Sequence, residues 1–165
     1  METINAHEFR EAMSKLAGAV SVVTTAGEAG KGGITVSAVV SVSDNPATLL
    51  VCVNTNNALT TMIPKNGVFA VNVLGKDGEN LSNRFAGMDK VSMEDRFLVG
   101  NWETLITVSP LLSDSLVSFD CKFTDAKEVG THQVIFGEVV GVKINTSEGN
   151  SKALLYFDRA YRVVG

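Results

Sequence analysis

The chain has 165 residues, of which 45% are apolar and 19% charged, and it carries a formal net charge of −4. That length suits one domain spanning 1–165, and a chain of this size buries roughly two-thirds of its unfolded surface without disulfide or metal staples. The acidic balance, with no run of four basic residues, argues against nucleic-acid binding through clustered Lys and Arg. No stretch approaches the roughly 18 apolar residues of a membrane-spanning helix.

The first residues, METINAHEFREAM, carry acidic side chains early and no apolar stretch. They read as neither a signal nor a transit peptide, so the expected location is cytoplasmic. Cys52 and Cys121 lie far apart in apolar segments and read as reduced thiols. Two His and two Cys without a ligand-like pair argue against zinc.

In chain order, residues 5–16 predict a helix. Asn5 is placed to cap it with Glu8 three residues later, and Phe9, Met13, Leu16 and Ala17 share a face; Gly18 ends it. Four short β-branched segments follow, 19–25, 34–42, 48–53 and 68–74, which predict strands. Gly27–Gly33 reads as a hairpin loop and residues 43–47 (SDNPA) as a turn. Residues 57–65 predict a short helix capped by Asn56 or Asn57, and 77–86 another that stops at Gly87. Long strands at 116–129 and 132–144 meet at Gly130-Thr131, and a last strand at 154–158 leads to the C-terminus. Strands arriving as hairpins predict a mainly β fold, an antiparallel barrel with a few peripheral short helices, and argue against a doubly wound sheet.

Four patterns invite a ligand. In Gly32–Ser43, the hydroxyls of Thr35, Ser37, Ser41 and Ser43 share one face, broken by Val39, while the even positions are apolar, so a row of hydroxyls could meet a flat, polar-edged ligand; a half-exposed strand gives the same pattern. Asn54–Thr60 is polar and opens a helix, which suits a phosphate as well as plain N-capping. Arg84 and Phe85 sit near a helix end, as a phosphate contact beside a ring wall or as a surface Arg and a core Phe. His132 starts a strand, a common structural setting for a lone His, while His7 reads as solvated. Asp158, Arg159, Tyr161 and Arg162 form a polar end to the chain, a salt-bridged rim or part of a subunit contact. Neither G-x-G-x-x-G nor G-x-x-x-x-G-K-S/T occurs, so no Rossmann-type site or P-loop is encoded in the usual way.

Taken together, the segments resemble the flavin reductase family with a split-barrel, FMN-binding fold, most of all the reductase component of two-component 4-hydroxyphenylacetate 3-monooxygenases. The likeness runs through Phe9–Met13, Val23-Thr24-Thr25, Gly33–Val39, Ser41–Ser43, Pro46–Asn54, Val71–Leu74, Phe85-Ala86-Gly87, Glu94–Phe97, Gly130-Thr131-His132 and Tyr156–Arg159. The resemblance implies that Thr35, Val36, Ser37 and Ala38 line the isoalloxazine of FMN or FAD. It sets Cys52, Val53 and Asn54 beside the ring and ribityl chain, and Asn57, Ala58 and Thr60 at the phosphate. Arg84 and Phe85 would close the other side, with Tyr161 near the site and Arg162 adjacent. His132 would stand by the nicotinamide as a positioning or polarising group while NADH (or NADPH) gives a hydride to flavin N5. The absence of an extra Arg cluster for a 2′-phosphate favours NADH. The resemblance further implies a homodimer and a flavin-dependent monooxygenase supplied by diffusible reduced flavin, acting on 4-hydroxyphenylacetate or a related phenol. The other readings are an oxygenase for aromatic acids or pyrimidines, and a flavin store, sensor or electron carrier without NAD(P)H turnover.

Overall fold

In the computed structural model, which describes residues 3–147, 149 and 151–165, the chain opens with helix α1 (Ala6–Met13). Asn5 caps it: its side-chain oxygen accepts from the His7 and Glu8 amides, and the Glu8 carboxylate accepts from the Asn5 amide. This reciprocal pairing satisfies N–H groups that a helix start leaves without partners. The helix ends short of residue 16 and buries none of its residues. The face shared by Phe9, Met13 and Leu16 stays exposed.

Strands β1 (Gly18–Ala19), β2 (Ser21–Thr25), β3 (Gly32–Val36), β4 (Val39–Asp44) and β5 (Ala47–Asn54) follow, then helix α2 (Leu59–Asn66) and strand β6 (Val68–Val73). Helices α3 (Glu79–Phe85) and α4 (Met93–Arg96) and the two-residue strands β7 (Trp102–Glu103) and β8 (Leu111–Leu112) lead to β9 (Val117–Val129) and β10 (His132–Ile144). The C-terminal hairpin is β11 (Ala153–Phe157) and β12 (Ala160–Val164). The mainly β expectation holds.

Seven strands form one antiparallel sheet in the order β3-β2-β6-β9-β10-β5-β4. Its outermost strands, β3 and β4, are consecutive in the chain and joined only by Ser37 and Ala38. A flat seven-stranded sheet is roughly 29 Å across at about 4.8 Å per step. Three residue steps reach at most about 11 Å. The sheet must therefore curl until its edges meet, giving a barrel split between β3 and β4. The Cys52 amide donates to the Ala38 carbonyl at 3.2 Å, which carries the β4–β5 pairing one residue into the connection.

The single strand predicted over 34–42 is thus two strands on opposite edges of the sheet. The even positions stay apolar through the break, and its one mark in the pattern is Val39, an apolar residue where the row calls for a hydroxyl. Ser41 and Ser43 lie beyond the break, with a register shift between them, and do not extend the Thr35–Ser37 row. The strand predicted over 19–25 divides likewise. β1 joins a small sheet with β11 and β12, while β2 enters the barrel. Strand β12 and the short elements α4, β7 and β8 are not among the predicted elements, although α4 carries a cap signal in Ser92, whose hydroxyl accepts from the Asp95 amide at 3.1 Å. The β11–β12 turn uses Asp158 and Arg159, both with left-handed φ (50° and 61°), where such turns usually announce themselves with Asn-Gly.

Two cores lie on the two faces of β2. Inside the barrel, Val23, Val51, Val53, Phe69, Val71 and Ile135 pack with Leu59 and Ile63 of α2, which plugs one end. Outside, Val20 and Val22 pack with Leu81, Phe85, Phe97 and Leu112. Alternate side chains of a strand point to opposite faces, which is why every residue of β2 is buried. Gly137 on β10 permits the tightest approach in the barrel: a Cβ there would stand 2.4 Å from Phe69 Cζ. Gly137→Ala is expected to destabilise the fold by about 1–3 kcal/mol through overpacking. The check is urea denaturation, with a lowered midpoint at unchanged m-value.

Candidate functional site

The split between β3 and β4 takes Ser37 and Ala38 out of both ladders, and both residues are exposed. Beside them a cavity of about 390 Å³ opens between β3, α3 and the β11–β12 hairpin. Its walls include Thr35, Val36, Ser37, Ser82, Asn83 and Tyr161. Hydrogen bonds hold them in one arrangement. The Thr35 hydroxyl donates to the Ser82 carbonyl at 2.6 Å. The Tyr161 hydroxyl lies 2.7 Å from Ser82 Oγ and donates to Asn83 Oδ1 at 3.0 Å. The Tyr161 ring is braced edge-on by Tyr156, with centroids 5.5 Å apart.

A second cluster lies where β5 ends. Strand alternation turns Val53 into the barrel core, so it offers the surface only its backbone, while Cys52 and Asn54 point the other way. Asn54 is in register with His132 across the β5–β10 pair. The Thr55 amide donates to the Thr131 carbonyl at 3.0 Å, so the Gly130-Thr131 turn is docked on the β5–α2 turn. Ala58, not Asn56 or Asn57, holds the N-cap position of α2 and makes no side-chain cap bond; one residue earlier, Asn57 Oδ1 accepts from the Leu59 amide at 3.0 Å. Thr60 is buried, and its hydroxyl donates to the Asn57 carbonyl at 2.8 Å. Ala58 is exposed on the same turn. His132 is exposed, with Nδ1 2.9 Å from the Thr131 hydroxyl. The bond from the Cys52 amide to the Ala38 carbonyl brings this cluster to the residue next to Ser37 of the cavity wall.

Two expected residues stand elsewhere. Phe85 does not close a ligand face: it is fully buried in an edge-to-face cluster with Phe97 (5.0 Å) and Trp102 (5.5 Å). Gly33 lets it sit there, since a Cβ at 33 would be 2.6 Å from the Phe85 ring. Phe85 supports the cavity from behind. Arg84 is not in the cavity wall; its Nε pairs with Asp89 at 3.0 Å and its Nη1 donates to the Asp95 carbonyl. The helical period separates them, because α3 buries Leu81, Ser82 and Phe85 and leaves Arg84 on another face. Ser82 and Asn83, on the same helix, stand in the cavity wall instead. The helical period that carries Phe85 to the core is the signal that sets them there.

The site is chemically quiet. Burial pushes the Cys52 thiol above its ordinary range. Burial first, then the charge of Asp120, pushes Cys121 up to about 12. Both thiols are free, and as protonated groups they are poor nucleophiles. Among the described residues no group of three His, Cys, Asp or Glu is arranged to hold a metal, and no helix is long and apolar enough to cross a membrane. The donor set fits a flavin: hydroxyls and backbone amides freed from strand pairing for the polar ring edge, aromatic support, and no carboxylate in the cavity wall to repel an anion. The volume falls in the range of small-molecule sites, about 300–1,000 Å³.

Known proteins carry the same features end to end. Residues 13–165 match the flavin reductase like domain. An FMN reductase (NADH) RutF from Agrobacterium fabrum is 45% identical over 168 residues, covering 99% of this chain and 94% of that protein. Its counterpart from Pantoea ananatis is 45% identical over 158 residues, covering 96% and 80%. Among solved structures, flavin reductase PheA2 superimposes with a TM-score of 0.86 at 30% identity, covering 98% of this chain and 99% of that one. BorF, the flavin reductase component of a bacterial two-component tryptophan halogenase, does so at 0.87 and 25%, covering 97% and 98%. With its split barrel, its cavity at the β3–β4 break and this near full-length match, the chain belongs to the family of flavin reductase-like domains.

Proposed function

We propose that the protein is an NADH-dependent flavin reductase that takes FMN as its flavin, uses FAD less well, and releases the reduced flavin to a partner monooxygenase. The observation that carries the reading is the Ser37–Ala38 break: exposed backbone and hydroxyl donors beside a cavity, in a chain matching FMN reductases (NADH) over nearly its whole length.

In this reading, bound flavin supplies the hydride acceptor for NADH. The chain's own groups bind and align. Thr35, Ser37 and the Ser37–Ala38 backbone hold the polar ring edge. Tyr161, Ser82 and Asn83 fix the cavity wall. Cys52, Asn54 and the Val53 backbone flank the ribityl chain, and the β5–α2 turn with Asn57, Ala58 and Thr60 takes the phosphate. His132 stands directly across from Asn54 and positions the nicotinamide, while Arg84 and Phe85 act as supports. Alignment of two flat rings makes the transfer effectively unimolecular, the largest contribution a scaffold without a nucleophile makes.

The exposed apolar side chains of α1 and of Val40 and Val42 on the edge strand β4 support a homodimer. Work in the cytoplasm, where NADH is available and both thiols stay reduced, completes the reading. The partner's substrate is 4-hydroxyphenylacetate or a related phenol by sequence likeness. Related structures include components of a tryptophan halogenase and of a nitrilotriacetate monooxygenase, so partner chemistry varies on this fold.

Loss of NADH absorbance is expected only when free flavin is added, faster with FMN than with FAD. No oxidation at any flavin level would make the protein a flavin-binding module. Coupling to a 4-hydroxyphenylacetate oxygenase tests the partner. His132→Ala is expected to raise KM for NADH about tenfold while the FMN Kd stays within about twofold; equal losses in both titrations would remove the role given to His132. Tyr161→Phe is expected to lower stability by about 1 kcal/mol, because Ser82 and Asn83 lose a shared partner, and to weaken FMN several-fold in a fluorescence titration.

A further inference from the structure

The cavity beside the β3–β4 split has a single charged residue in its wall, Arg159. It stands on the β11–β12 turn, where both Asp158 and Arg159 adopt left-handed φ. Such backbone is costly for residues with a Cβ and concentrates at functional sites; glycine at 159 would relieve it. The Arg159 guanidinium donates from Nη2 to the Glu11 carboxylate of α1 at 2.7 Å, with both side chains about half exposed (56% and 50%). An exposed ion pair of this kind is weak and readily exchanged. The turn does not depend on it, because Lys15 pairs with Asp158 and the Asp158 amide donates to the Ser14 carbonyl at 2.8 Å. The other nearby cations are engaged: Arg84 with Asp89, and Arg162 through Nη1 with the Tyr161 carbonyl.

We propose that Arg159 binds a phosphate group of a cofactor entering this cavity, and that Glu11 holds the guanidinium in place until that phosphate displaces it. The inference rests on the flavin reductase reading, which supplies phosphate-bearing cofactors. The chemistry is a good match. A guanidinium presents paired N–H donors to phosphate oxygens, and a protein of net charge −4 needs a local cation to receive an anion. A carboxylate is the natural stand-in, since it offers the same two-oxygen face to the same donors. With the flavin phosphate given to the β5–α2 turn, the pyrophosphate of the dinucleotide is the expected source, and a flavin phosphate seated at Arg159 instead is separated from it experimentally.

The test uses the full chain with Arg159→Gly, which eases the left-handed backbone and so favours folding, and Glu11→Gln, which frees the guanidinium. FMN and riboflavin Kd values are measured by fluorescence titration and the KM for NADH by steady-state assay. Arg159→Gly is expected to weaken one phosphate-bearing ligand about tenfold, as loss of a charge-assisted contact does, and to leave riboflavin within about twofold. A rise in FMN Kd assigns the flavin phosphate; a rise in NADH KM at constant FMN Kd assigns the dinucleotide. Glu11→Gln is expected to tighten the same ligand about twofold by removing its competitor. The inference is overturned if Arg159→Gly moves neither constant, if riboflavin weakens as much as FMN, or if Glu11→Gln weakens binding as Arg159→Gly does. If the wild-type protein oxidises no NADH, the reductase reading fails, and the paired FMN and riboflavin titrations still decide the role of Arg159.

Discussion

Joining the two edges of a seven-stranded sheet by two residues is the constraint on which the rest of the molecule depends. Ser37 and Ala38 cannot span a flat sheet, so the sheet curls, and curling creates an inside for Phe69, Ile135 and the α2 plug. The same two residues lie outside both strands and, among the described residues, keep a single backbone bond, from the Cys52 amide to the Ala38 carbonyl. Closure therefore leaves polar backbone at the surface where the cavity opens. One short connection sets both the core and the binding face.

Buried polar groups then keep the outer layer in place. Asn72, with no exposure, donates to the Val22 carbonyl at 3.0 Å and accepts from the Leu112 amide at 2.8 Å and the Ser118 hydroxyl at 2.7 Å. The Asp120 carboxylate accepts from the Ile106 and Thr107 amides at 2.8 and 2.7 Å. These bonds tie the long connection from α4 to β9 onto β6 and β9. The connection in turn carries Phe97 and Trp102 to Phe85, the ring that backs the cavity through α3. Buried groups satisfied in this way fix a unique geometry, whereas removing one partner leaves the other unpaired at a cost of about 1–3 kcal/mol.

Local signals made much of this legible in the sequence. The Asn5–Glu8 spacing gave the cap of α1, and β-branched runs around Gly130-Thr131 gave the β9–β10 hairpin, because each depends on neighbours in the chain. The break at Ser37–Ala38 was nearly hidden, since it arises from joining distant strands and leaves in the local alternation only the irregularity at Val39. The β11–β12 hairpin was hidden because Asp158-Arg159 adopts a turn more often announced by glycine. At the site, the Thr35–Ser37 hydroxyls, the Asn57 turn and the His132–Asn54 neighbourhood were within reach of sequence likeness. The burial of Phe85 depends on Phe97 and Trp102, far along the chain, and the helical period that separates Arg84 from Ser82 becomes decisive only once the core face of α3 is known.

Strand β10 is matched by β9 along its length but by β5 only from His132 to Glu138. Residues 139–144 thus run past the end of β5 with one side free of a strand among the described residues. A straight free edge of this kind is a template on which a foreign chain can add itself, the first step toward insoluble assemblies. One of the two register shifts of β10 against β9, between Val139 and Gly141, falls in this stretch, and Lys143, paired with Glu103, sets a charge along it. The irregularity that helps β10 bend around the barrel also spoils its outer half as a template, so the curvature that makes the pocket helps to keep the protein in solution.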